Sequence, residues 1–197
     1  VRYWLGVGGS WFLVDVTSFG LKIFGPEIVG EIFGADEPIS AMCWQNIALN
    51  LISLPAFLLA IPLVRERGAR WVQLRSCALN CACFALAALL MPLVGAGVQF
   101  GFVCVLYFTV SSGIGLTNYC LASQVQRLVG GDARRAQSTF IGIAAACSKL
   151  GAIAGMFLFE GLLDAYGIAS ACFLCCGMMA GGFALTSLFV DEEPTGE

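Results

Sequence analysis

The sequence predicts an all-α transmembrane fold, from its composition, the spacing of its polar interruptions and the sidedness of its basic residues. Of 197 residues, 59% are hydrophobic and only 12% charged, with a mean hydropathy of +0.87, whereas a soluble domain carries about 25% charged residues. An ordinary soluble domain is excluded. At roughly 20 apolar residues per bilayer crossing, about six crossings would use about 120 residues and leave about 75 for connections and ends. The net charge of −3 says little about partners, because charges sit in connections and tail and the few inside apolar runs act individually.

The apolar runs are 4–24, 39–64, 71–93, 98–125, 139–163 and 168–190, a six-helix transmembrane unit over 1–190 followed by a polar cytoplasmic tail, 191–197. The connection 25–38 carries Glu27, Glu31, Asp36 and Glu37. The second-to-third connection carries Arg65, Arg67 and Arg70, and the fourth-to-fifth carries Arg127, Arg134 and Arg135. The positive-inside rule places the two basic connections and both chain ends in the cytoplasm and the acidic connection on the far side. The chain starts at Val1 with no basic leader and no cleavage pattern, so it reads as a piece of a longer protein and not as one opening with a signal peptide.

Small residues recur at helix-packing spacing: Gly151 with Gly155, Gly177 with Gly181, and Gly6, Gly8, Gly9 and Gly20 in the first run. Such spacing lets helix backbones approach closely where apolar burial cannot drive association. Close packing and a sliding contact at Gly151 and Gly155 both fit the pattern. There is no His, and the ten Cys lie almost all within apolar runs. Cys172, Cys175 and Cys176 cluster, but without His or a second clustered pair they read as packing residues, so no metal and no other cofactor is expected.

Two ionisable residues lie deep in apolar runs, Asp15 and Lys149. A charge at the bilayer centre costs at least about 2.5 kcal/mol and is usually turned inward. Helical spacing puts Trp11, Asp15, Ser18 and Phe19 on one face, and Lys149 follows the small residues Ala144, Ala145, Ala146, Cys147 and Ser148. Asp15 and Lys149 either pair and fix helix register, or Lys149 supplies a compact charge to an anionic substrate while Asp15 carries a proton. Asn118, Gln45, Asn46 and Asn50 are further candidate polar contributors, and Asn80 reads as packing. Glu160 and Asp164 read as interfacial.

The run Leu5-Gly6-Val7-Gly8-Gly9-Ser10-Trp11-Phe12-Leu13-Val14-Asp15-Val16 resembles the seventh transmembrane helix of proton-phosphate symporters of the major facilitator superfamily, in which Trp-Phe-Leu-Leu-Asp-Val is typical. The run 138–153, with Lys149-Leu150-Gly151-Ala152-Ile153, looks like that family's eleventh helix around a phosphate-facing Lys. Ala48-Leu49-Asn50-Leu51-Ile52-Ser53-Leu54-Pro55, then Arg67-Gly68 and Gln73-Leu74, is similar to the eighth helix and its cytoplasmic turn. The resemblance implies helices seven to twelve of a twelve-helix transporter, two inverted three-helix repeats that rock against a missing amino-terminal half. It implies that Lys149 meets phosphate oxygens, Trp11 lines the pocket, Asp15 is a substrate-site carboxylate linked to proton coupling, and Asn118 or Thr117 donates a hydrogen bond.

The departures from the family pattern are specific. Phe19 stands where the family usually has Tyr, which removes a hydroxyl from the substrate site. The cytoplasmic Asp-Arg-x-Gly-Arg-Arg pattern is here Arg65-Glu66-Arg67-Gly68-Ala69-Arg70, and Gln126 stands at the acidic position after the tenth helix. The expected activity is proton-coupled symport of inorganic phosphate, or a related small anion, across a lipid bilayer, with the plasma membrane favoured over an organelle. An organic solute or sugar carrier and a non-transporting membrane scaffold or sensor are the rivals. An enzyme is not expected, because there is no His, no metal-ligand set and no nucleophile beside a base. No nucleic-acid partner is expected, because the basic residues form short membrane-flanking clusters.

Overall fold

The computed structural model describes residues 2–34, 38–124 and 133–190, the last segment with side chains from 137 onward. Asp36, Glu37, Gln126, Arg127, the side chains of Arg134 and Arg135, and the tail lie outside the described residues. Every described element is helical: α1 (Arg2–Ile23), α2 (Gly25–Phe33), α3 (Ile39–Arg67), α4 (Ala69–Leu90) with a closing 3-10 turn (Met91–Leu93), α5 (Ala96–Ser111), α6 (Ile114–Ser123) and α7 (Ala133–Phe189). Four segments among them are long and apolar enough to cross a membrane: Ile39–Arg67, Ala69–Leu93, Ala96–Ser123 and Gln137–Phe189. α1 is long enough, at about 33 Å for 22 residues, but its glycines and Asp15 make it less apolar.

Two features depart from six plain helical runs. The connection 25–38 contains α2, a nine-residue helix opened by Pro26 near its first position, where the missing N–H costs nothing. The fourth run is two helices, because the chain breaks at Ser112 and Gly113, and Gly113 adopts φ +123°. The break is held from α4: Asn80 Nδ2 donates to the Thr109 carbonyl at 3.1 Å and Ser76 Oγ to the Ser112 carbonyl at 3.2 Å. Ser76 thus supplies a donor to a carbonyl at the break, and Asn80 adds one to the Thr109 carbonyl, which also accepts from the Ser112 N–H and hydroxyl. Asn80 is therefore a packing residue with a definite task.

α7 leaves helical geometry at Gly167, with φ 72° and ψ −175°, so its arms, 133–166 and 168–189, run separately. At one end of the molecule Arg70 Nε donates to the Val190 carbonyl at 2.6 Å and its guanidinium also reaches Ser187 O at 3.3 Å, closing the last carbonyls of α7 with a cation. Arg65 and Arg67 sit at this end, beside the Gly68 turn. At the other end Tyr107 OH donates to the Leu21 carbonyl at 2.9 Å, and a Cβ at Gly167 would sit 3.0 Å from the Glu31 carboxylate.

Burial along α3 is confined to Leu49, Ser53, Ala56 and Ala60, a single seam at helical spacing. Most of the helix's large apolar side chains, such as Leu51, Leu54, Leu58 and Leu59, are exposed, which suits a helix whose surroundings are hydrocarbon. The main core lies between α1, α2, α4, α5 and α7 and includes Val14, Phe84, Tyr107, Phe159 and Met179. Cys77, Cys172 and Cys175 pack in this core, and all ten cysteines are free thiols.

Candidate functional site

The site begins with glycine. A Cβ at Gly151 would collide with the backbone carbonyl of Phe12, and one at Gly155 with that of Val16, so α7 lies directly on the α1 backbone at two successive turns. Gly177, in the second spaced pair, has open space where a Cβ would be; only the first pair marks a backbone crossing. The stripe that makes it, Ala144, Ser148, Gly151 and Gly155, repeats at helical intervals on one face of α7.

That crossing sets Ser148 opposite Asp15. The Ser148 hydroxyl donates to Asp15 Oδ2, and the two residues are 3% and 8% exposed. Lys149, next around the helix, is exposed, and its Nζ lies 5.2 Å from the centre of the Phe19 ring, one turn beyond Asp15 on α1. Among the described residues Asp15 and Lys149 form no ion pair: the carboxylate is met by a hydroxyl and the ammonium by a ring. A cation over an aromatic face is attracted without a counter-charge, and the three donors of the ammonium make no hydrogen bond among the described residues. Trp11, one turn before Asp15, is buried and meets the Tyr119 ring edge-on, 4.7 Å between centres with planes at 74°. Tyr119 is 60% exposed, which leaves Trp11 and Tyr119 beside an open surface.

Trp11, Asp15, Phe19 and Lys149 thus come together along the α1–α7 crossing. Thr117 and Asn118 turn to α4 instead. Gln73 Nε2 donates to Asn118 Oδ1 at 2.8 Å, and the Thr117 hydroxyl donates to Gln73 Oε1 and lies 3.1 Å from the Ile114 carbonyl. All three residues are fully buried. Asn118 Nδ2 has no partner, a free donor inside the bundle. On α3, Asn50 Nδ2 donates to the Asn46 carbonyl at 2.9 Å, and the side-chain oxygens of Gln45 and Asn46 are unpartnered.

Sequence reasoning missed Ser148 as the Asp15 partner, Tyr119 as the Trp11 partner and Gln73 as the hub for Thr117 and Asn118. Ser148 could have been found from the small-residue stripe it shares with Gly151. Gln73 gave no such sign, since nothing in the pattern joins it to a residue 45 positions away.

No family model matches the chain. Among known proteins it is similar to "Inorganic phosphate transporter PT2" of Toxoplasma gondii, 31% identical over 98% of this chain. It is also similar to "Putative inorganic phosphate transporter C1683.01" of Schizosaccharomyces pombe, 27% identical over 98%, and to "Probable inorganic phosphate transporter 1-10" of rice, Oryza sativa subsp. japonica, 27% identical over 93%. The chain is similar in sequence to proteins named inorganic phosphate transporters. It spans about a third of the length of the curated relatives it matches, 34% to 36%, which fits the carboxyl-terminal half of such a transporter. Together with its four long apolar segments, this similarity makes it part of an integral membrane protein.

Proposed function

We propose that the chain is the carboxyl-terminal half of a proton-coupled inorganic phosphate symporter of the major facilitator type, resident in the plasma membrane. α1, α3, α4, the α5–α6 pair and the two arms of α7 are its six crossings, paired as two inverted three-helix repeats. The other half, outside this chain, covers the open surface beside Lys149 and Tyr119, and the two halves rock to expose the site to each side in turn.

Phosphate binds near the midplane on the Lys149 ammonium, which Phe19 positions without neutralising. Asn118 and Thr117 supply hydrogen-bond donors when the Gln73 cluster opens, and Trp11 closes one wall. Asp15 takes the coupling proton, so that carboxylate and phosphate do not accumulate negative charge in the same apolar space. The observation that carries this reading is the pairing pattern at the crossing: a buried Asp held by Ser148 and an unneutralised Lys beside it. The similarity to phosphate transporters supports the substrate. Competition of labelled phosphate uptake in proteoliposomes of the full-length parent tests the substrate class. Arsenate should compete and neutral sugars should not; competition by sugars alone would assign the site to an organic solute carrier.

A further inference from the structure

The Gly68 turn and the first turns of α4 carry a cationic cluster that the transport site does not use. Arg67 and Arg75 both lie over the Trp71 ring, 5.5 and 5.4 Å from its centre. Neither makes an ion pair among the described residues, although Glu66 directly precedes Arg67. Arg75 stands six residues inside α4, about 9 Å along its axis, and its guanidinium reaches back to Trp71, as a long basic side chain does when its head seeks the membrane surface. A groove of about 170 Å³ opens between α3, α4 and the α5 end, lined by Leu59, Leu63, Leu79 and Phe108 together with Arg75, Ser76 and Ser112. Leu59 and Leu79 are 62% and 43% exposed, so the groove is open at the surface of apolar helices.

An apolar trough lined by Arg75, whose guanidinium shares the Trp71 ring with that of Arg67, neither of them ion-paired among the described residues, matches one ligand in both its parts. We propose that this groove is a binding site for one anionic phospholipid, its headgroup phosphate held by Arg67 and Arg75 beside Trp71 and an acyl chain lying along Leu59, Leu63 and Leu79. The charge complementarity selects an anionic headgroup over a zwitterionic one. The apolar walls select a lipid over free phosphate, which has nothing to place against leucine. The site is separate from Lys149 and does not rest on the transport reading.

The test is native mass spectrometry of the full-length parent released from phosphatidylcholine nanodiscs doped with phosphatidylserine, in phosphate-free buffer. Wild type should retain phosphatidylserine. At about a fivefold effect per basic residue near the surface, R67A/R75A should retain it roughly thirtyfold more weakly, and R67K/R75K should keep most of it. Leu59→Trp, which fills the trough and leaves both arginines, should also lose the lipid, so misfolding of one variant does not decide the matter. Equal retention by wild type and R67A/R75A, displacement of the lipid by millimolar inorganic phosphate, or full retention in Leu59→Trp would each overturn the proposal.

Discussion

The Ser148 hydroxyl, not the neighbouring Lys149 ammonium, meets the Asp15 carboxylate. The two ionisable side chains closest to the α1–α7 crossing are thus kept apart by one residue's rotation around the helix. A direct ion pair would satisfy both charges and leave nothing for a substrate, whereas the observed arrangement leaves the Lys149 charge facing an open surface. Ser148→Ala removes a hydrogen bond to a buried acid at a cost of about 1 kcal/mol. A lower melting temperature together with reduced phosphate uptake is the expected outcome. A variant matching wild type in both would show the contact to be idle.

The glycines of α7 should differ sharply in tolerance. Gly151→Ala or Gly155→Ala drives a methyl into the α1 backbone and should cost about 1–3 kcal/mol. Gly177→Ala, facing open space, should be neutral or slightly stabilising. Thermal melts of the three purified variants check this, and equal losses at Gly151 and Gly177 would mean the α1–α7 crossing is placed wrongly.

Gln73 joins α4 to α6 through Asn118 and Thr117. Gln73→Leu leaves Asn118 Oδ1 without its donor in a dry interior, at about 1–3 kcal/mol, while the Thr117 hydroxyl keeps the Ile114 carbonyl. Because the residues act as one network, Gln73→Leu and Asn118→Leu combined should cost less than the sum of the single changes. Simple additivity in a double-mutant cycle of melting data would break the network apart.

Phe19→Tyr should add a hydroxyl beside Lys149. If phosphate sits there, the extra donor lowers the KM for phosphate roughly tenfold, a hydrogen bond to a charged group contributing about 1.5 kcal/mol. An unchanged KM would place the substrate away from Phe19.

The helical character of the chain was legible because uninterrupted apolar stretches fix it locally, and Asp15 and Lys149 stood out because charge in an apolar run is costly wherever the run packs. The stripe through Gly151 and Gly155 was legible as a packing face, but its partner was not, since α1 lies far off in sequence. The Ser112–Gly113 break escaped notice because its stabilisation is tertiary: Ser76 and Asn80 donate to the Ser112 and Thr109 carbonyls, and Val72 would sit 2.9 Å from a Cβ at Gly113. Thr117 and Asn118 were legible as polar groups in an apolar run; their direction, toward Gln73, depended on how α6 leaves that break.

Uptake of radiolabelled phosphate into liposomes holding the full-length parent, with and without an inward proton gradient, and with Lys149→Ala beside wild type, tests the transport site most directly. Phosphate binding at Lys149 predicts gradient-stimulated uptake by wild type and roughly a tenfold or greater loss in the variant, the scale of a lost charge-assisted contact. Undiminished uptake by Lys149→Ala, or no phosphate uptake by well-folded wild type, would contradict it.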